Sequence, residues 1–139
     1  MLFRSVIVDD GLRVKLLDFG IAKVVGAEAS ATSQALGTVA YMAPEQFNAS
    51  SQDIRTDVWA LGALLFELLT GLTPFQGKTQ PEIMRAIFEQ RRMSLSGAGN
   101  PFPAVFEDFF DACLAHRIDD RMASMQVFQE QLAGLQRQY

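Results

Sequence analysis

The segment TDVWALGALLFELLTG, residues 56–71, sets the architecture expected of this chain. Thr56 and Asp57 are residue types that open helices, and Gly71 is the type that closes them. Between them the text is apolar on every side except for Glu67 and Thr70. A helix that is apolar all round is buried, so residues 56–71 are predicted to form the central helix of a mainly α unit. The segment carries Glu67 and falls short of the about 18 apolar residues a membrane span requires, so no membrane crossing is expected.

Downstream the helical text continues. TQPEIMRAIFEQ, residues 79–90, opens with Thr79 and Glu82 in capping-box spacing and with Pro81 in the first turn. Ile83, Met84, Ile87 and Phe88 form its single apolar stripe, which predicts a surface helix. A further helix is expected from Pro103, with Val105, Phe106, Phe109, Phe110, Cys113 and Leu114 spaced by threes and fours, and with His116 near its end as a structural residue that suits the helix dipole. Ser124 is expected to cap a last helix whose stripe is Met125, Phe128, Leu132 and Leu135.

Upstream the period changes. Residues 5–17 alternate apolar and polar positions around Asp10 and Gly11, the pattern of a small N-terminal β-hairpin. The second strand runs into Asp18. A carboxylate at the end of apolar strand text is costly unless paired or bound to a metal, so Asp18 is either a capped structural acid or a ligand. From residue 20 to 43 periodicity vanishes and small or hydroxylated residues dominate, among them Ser30, Thr32 and Ser33. Unstructured segments longer than about 12–15 residues are usually functional or disordered.

Composition narrows the function classes. The chain has 139 residues, 49% of them hydrophobic and 20% charged, which is a globular composition long enough for one folded unit. The net charge is −4 and the basic residues are scattered apart from Arg91 and Arg92, so there is no footprint for nucleic acid. The lone cysteine, Cys113, excludes an internal disulfide and a cysteine-based zinc cage and suits a reducing cytoplasm, as does the absence of a signal-peptide pattern.

Three motifs in fixed order complete the reading: DFG at Asp18, Phe19 and Gly20, GTVAYMAPE over residues 37–45, and the central helix over residues 56–71. In this order they resemble the large C-terminal lobe of the eukaryotic-like serine/threonine protein kinases, in the wording of the bacterial Hanks-type members. The resemblance implies a kinase-like C-lobe without its N-lobe, a partial kinase domain over residues 1–139. Its parts would be the hairpin and DFG over 5–20, the activation segment over 18–45 and a helical subdomain over 46–139.

By the same resemblance Asp18 would hold the magnesium ion that bridges the ATP phosphates, Phe19 would repack between active and inactive states, and Gly20 would let the backbone switch. Gly37 and Thr38 would support the protein substrate. Ser30, Thr32 and Ser33 would be activation-segment hydroxyls open to phosphorylation, although small loops are often serine-rich without such a role. Within Ala43, Pro44 and Glu45, the acid would pair with Arg121 late in the lobe. Asp57, Trp59 and Gly62 would begin the central helix. The text before Arg121 departs from the family, with Arg117 and Ile118 where an Asp-Pro is common and Met122 where a Pro is common.

The family's Gly-rich phosphate cover, its paired lysine and its catalytic-loop Asp and Asn do not occur in these residues, and Ser5 stands where that Asn would be. The expectation is therefore a serine/threonine kinase fragment, inactive and binding neither ATP nor Mg2+ by itself, whose partners are a protein substrate and a missing N-terminal kinase half. The alternative is a non-catalytic, pseudokinase-like module that binds a kinase or its substrate through the Thr38 segment and the helix of residues 79–90.

Overall fold

Valines and leucines at alternating positions pair where a hairpin is expected. Strand β1 (Val6–Val8) runs antiparallel to β2 (Val14–Leu16), with Val6 opposite Leu16 and Val8 opposite Val14. The computed structural model describes residues 6–8, 14–16, 39–48, 52–99 and 104–138. The Asp10-Gly11 turn therefore lies outside the described residues. The chain divides into two compact units, Met1–Ser30 and Ala31–Tyr139.

Every regular element among the described residues of the second unit is a helix. Helix α1 (Pro44–Phe47) starts with a proline, whose missing N–H is no loss in a first turn, and the Gln46 side chain turns back to accept the Ala43 N–H at 2.8 Å. Helix α2 (Ile54–Thr70) begins earlier than the Thr56–Asp57 start expected from sequence. The reason is local chemistry. Asp53 accepts the Arg55 N–H at 2.8 Å and caps the helix, while the Thr56 hydroxyl is used elsewhere, donating to Glu45 at 2.8 Å. Gly71 ends α2 in the left-handed conformation, φ 75°, with its N–H on the Glu67 carbonyl at 2.7 Å.

Helix α3 (Gln80–Phe88) carries only half of the expected capping box: Thr79 accepts the Glu82 N–H at 3.4 Å, but the Glu82 carboxylate reaches one residue further back, to the Lys78 N–H at 2.7 Å. Helix α4 (Ala104–Cys113) stops before His116, which therefore sits beyond the helix end and not within its last turn. A 3₁₀ turn (Ile118–Asp120) leads to α5 (Met125–Gln138), where Ser124 accepts the Val127 N–H at 3.3 Å.

The core lies where α2, α4 and α5 pack on one another. Aromatic rings fill it. Trp59 and Phe75 stack with centroids 5.3 Å apart, Phe66 meets Phe110 edge-on at 5.2 Å, and Phe109 meets Phe128 at 5.1 Å. Gly62 permits the closest helix approach, because a Cβ there would fall 2.7 Å from the Cys113 Cβ.

The central helix departs from its sequence reading on one face. It is not buried all round: Leu68 is 56% exposed and Ile54 50%, while the acid Glu67 is only 4% exposed. Apolar text alone does not report that Glu67 has a partner inside, the phenol of Tyr41, which donates to its carboxylate. A hydrogen-bonded carboxylate tolerates burial, while Leu68 beside it faces outward.

Candidate functional site

The strongest polar constellation of the helical unit is built around Arg121, immediately after the 3₁₀ turn. Its side chain is fully buried and its Nη1 and Nη2 donate to the two Glu45 carboxylate oxygens at 2.7 and 3.1 Å. Nη1 also donates to the Arg55 carbonyl at 2.9 Å, Nε donates to the Ala115 carbonyl at 3.1 Å, and the guanidinium lies 5.0 Å over the Trp59 ring. Thr56 adds its hydroxyl to the same Glu45 oxygen. A buried ion pair of this kind is favourable only when geometry is good and the remaining donors are satisfied, and both conditions hold.

Burial by itself would raise the Glu45 pKa, but the hydrogen bonds from Arg121, a backbone N–H and Thr56 outweigh it and hold the carboxyl below its ordinary value. The acid is thus an anion serving as an anchor, and nothing about it suits proton transfer. Through Arg121 the start of α2, the short helix α1 and the turn after α4 converge on one point. Arg55 braces the same place from outside, donating to the Ile118 carbonyl at 3.0 Å and pairing with Asp53 at 2.8 Å and Asp119 at 3.1 Å. The hydrogen bonds to Asp53 and Asp119 raise the pKa of its guanidinium further. The Arg117-Ile118 text that departs from the family still forms a turn, with the Arg121 N–H on the Ile118 carbonyl at 3.3 Å.

The remaining sequence-derived residues are placed as follows. Ala43 and Pro44 are buried beside Glu45, Trp59 is in the core, Gly62 faces Cys113, and Asp57 is exposed. Asp18, Phe19, Gly20, Ser30, Thr32, Ser33, Gly37 and Thr38 lie outside the described residues. Among the described residues no group of three or more His, Cys, Asp or Glu side chains could hold a metal ion, and no helix is long and apolar enough to cross a membrane. Burial pushes the Cys113 thiol up to about 12, which leaves it inert as a nucleophile.

Two residues escaped the sequence reading. Tyr41 and Glu67 form a partly buried pair joining the segment before α1 to α2. The signal was present, since a single carboxylate inside apolar helix text requires a partner just as Asp18 does.

A short helix with an acid in its first turn, a central helix and a late arginine that returns to that acid define a protein-kinase helical lobe. The family model described as "Protein kinase domain" matches residues 4–133, and the chain belongs to that family. Over 120 residues it is 34% identical to the serine/threonine-protein kinase PknL of Mycobacterium tuberculosis, an alignment covering 86% of this chain and 30% of that protein. It is 32% identical over 124 residues to the probable serine/threonine-protein kinase PknB of Lactococcus lactis, with 88% and 20% covered. It is 35% identical over 121 residues to the dual specificity mitogen-activated protein kinase kinase hemipterous of Drosophila melanogaster, with 84% and 10% covered. The chain therefore spans less than a third of the length of these relatives.

Proposed function

We propose that these residues form the substrate-facing helical part of a serine/threonine protein kinase that transfers the γ-phosphoryl group of ATP to protein hydroxyls. The observation that carries the reading is the bidentate Glu45–Arg121 pair, closed by Thr56 and the Arg55 carbonyl. It pins the end of the GTVAYMAPE segment to the helical lobe, which is what a platform for a protein substrate requires. The family match and the serine/threonine kinase names of the two bacterial relatives support it.

In this proposal Asp18 holds magnesium against the nucleotide phosphates, Gly37 and Thr38 support the acceptor peptide, and Ser30, Thr32 and Ser33 are available for regulatory phosphorylation. Ala43, Pro44, Glu45, Asp57, Trp59, Gly62 and Arg121 form the frame. One carboxylate does not retain Mg2+ and ATP without the groups that position the phosphates, so residues 1–139 alone are inactive. The working partners are a protein substrate and the kinase residues that cover the nucleotide, and the compartment is the cytoplasm. Calorimetric titration with ATP and magnesium tests the inactive state. No heat beyond that of an Asp18→Ala control is expected, and saturable binding lost in that control would refute it.

A further inference from the structure

One stripe on the outer surface of α3 carries charges in the order Lys78, Glu82, Arg85, Glu89, at spacings of four, three and four. Residues so spaced share one helix face, and all four are exposed. Read in reverse, the stripe is its own complement: Lys78 exchanges with Glu89 and Glu82 with Arg85, and both exchanges join opposite signs. Beside it runs an apolar stripe of Pro81, Met84 and Phe88, in which Pro81 is exposed and the other two are half-buried. Met84, its middle residue, falls at the centre of the same reversal.

Support within the helix explains only part of this pattern. Arg85 pairs with Glu89 at 2.7 Å, and Glu89 also takes Arg91 at 2.7 Å. Lys78 makes no ion pair among the described residues, and Glu82 uses one carboxylate oxygen to accept the Lys78 N–H at 2.7 Å. The two end charges have the wrong sign for the helix they flank. A helix N-terminus favours an anion and its C-terminus a cation, yet Lys78 lies just before the N-cap Thr79, and Glu89 is the C-cap. An antiparallel neighbour corrects both, because Lys78 then stands at the other helix's C-terminus and Glu89 at its N-terminus.

We propose that the outer face of α3 is an isologous contact with a second copy of this chain, the two α3 helices lying antiparallel about a two-fold axis beside Met84. Lys78 of each copy meets Glu89 of the other, and Glu82 meets Arg85, so each ion pair occurs twice. The axis is perpendicular to both helices and keeps charged stripe against charged stripe. On the apolar side it sets Met84 against Met84 and Pro81 against Phe88. Arg85 passes from its own Glu89 to Glu82 of the other copy, which leaves Glu89 to Arg91 and the incoming Lys78. One nine-residue helix buries less than the roughly 1,200 Å² of a stable complex, so the pair is weak and sensitive to salt.

Sedimentation equilibrium of the 139-residue chain tests this contact. Dimerisation that weakens as salt rises from about 0.05 to about 0.5 M is expected. Arg85→Glu sets a like charge against Glu82 of the other copy, and Glu82→Arg sets one against Arg85. Each variant alone should therefore be monomeric at concentrations where the natural chain dimerises. Mixed in equal amounts the two should associate again, since each supplies the sign the other lacks. Lys78→Glu lies outside the helix and suits its dipole, so it leaves the fold intact and should weaken the dimer about 3- to 10-fold through two exposed pairs. Circular dichroism reports that each variant is folded. The proposal is overturned by a natural chain that stays monomeric at millimolar concentration, by a dimer indifferent to Lys78→Glu, or by a mixture of the two folded variants that does not associate.

Discussion

Arg121 reaches back over 76 positions of sequence to hold both carboxylate oxygens of Glu45, and the guanidinium doing so has no exposed surface. Removing either partner leaves an uncompensated buried charge. Glu45→Ala and Arg121→Ala are each expected to lower stability by about 3–5 kcal/mol, and the double substitution by less than the sum. Urea unfolding of the four proteins of the cycle checks this. Additive losses under about 0.5 kcal/mol each would mean that the pair contributes nothing in solution.

The same pair gives a pH dependence whose sign follows from the lowered Glu45 pKa. The folded state binds the proton less readily than the unfolded state, whose ordinary value is 4.5. The stabilisation is therefore fully present above that value and is lost as pH falls through the lower folded value. Acid unfolding monitored by Trp59 fluorescence should begin at higher pH in Arg121→Ala than in the natural chain, provided the variant is folded at pH 7.

Tyr41 behaves in the opposite sense. Burial, and then its hydrogen bond to Glu67 and that acid's charge, raise the phenol above its ordinary value of 10.0. The folded state keeps its proton, so this contribution is present below 10.0 and fades as pH rises through the folded value. Alkaline spectrophotometric titration should show one of the two tyrosines ionising late, and Tyr41→Phe should abolish that late phase. The substitution should also cost about 1.5–3 kcal/mol, the range for a hydrogen bond to a charged group.

Glycines separate packing from propensity. Gly62→Ala forces a Cβ to within 2.7 Å of Cys113 and should destabilise by about 1–3 kcal/mol through overpacking. Gly134→Ala meets nothing within 4 Å in α5 and should stabilise by about 1 kcal/mol through helix propensity alone. Thermal melts of the two variants, run side by side, test whether α2 and α4 are in contact at Gly62.

Gln90→Gly relieves the left-handed backbone after α3 and should raise stability by about 0.5–1 kcal/mol. A loss in urea unfolding would show that the Gln90 side chain contributes more than its backbone position costs.

How much of this was legible beforehand differs from residue to residue. The helices around Phe66, Ile87 and Phe110 follow from apolar spacing, because packing against one core leaves a 3.6-residue period in the text. The start of α2 was misread because Thr56 and Asp53 are both good caps, and only the tertiary demand of Glu45 on the Thr56 hydroxyl decides between them. Leu68 was assigned to the buried helix and is exposed, and the partner of the buried Glu67 was not legible because Tyr41 is 26 positions away and no local period reports it. The meeting of Glu45 and Arg121 is equally non-local and was legible only through resemblance. Asp18 and Thr38, which the same resemblance singles out, lie outside the described residues, so their roles stand as proposals.

If these residues are the helical part of a kinase domain, they need the rest of it for chemistry. Radiolabelled phosphate transfer from ATP to a generic serine/threonine substrate tests this. The assay compares residues 1–139 alone with residues 5–139 fused behind the N-terminal kinase half of the Mycobacterium tuberculosis relative. Catalysis in this family is mostly positioning and electrostatics, so losing the lysine, the base and the second metal ligand removes most of what lowers the barrier, at about 1.36 kcal/mol per tenfold in rate. The predicted result is no transfer by the chain alone and transfer by the fusion that disappears with Asp18→Ala. Asp18-dependent transfer by the chain alone, or a folded fusion that transfers nothing, would show that these residues are not an incomplete kinase domain of this kind.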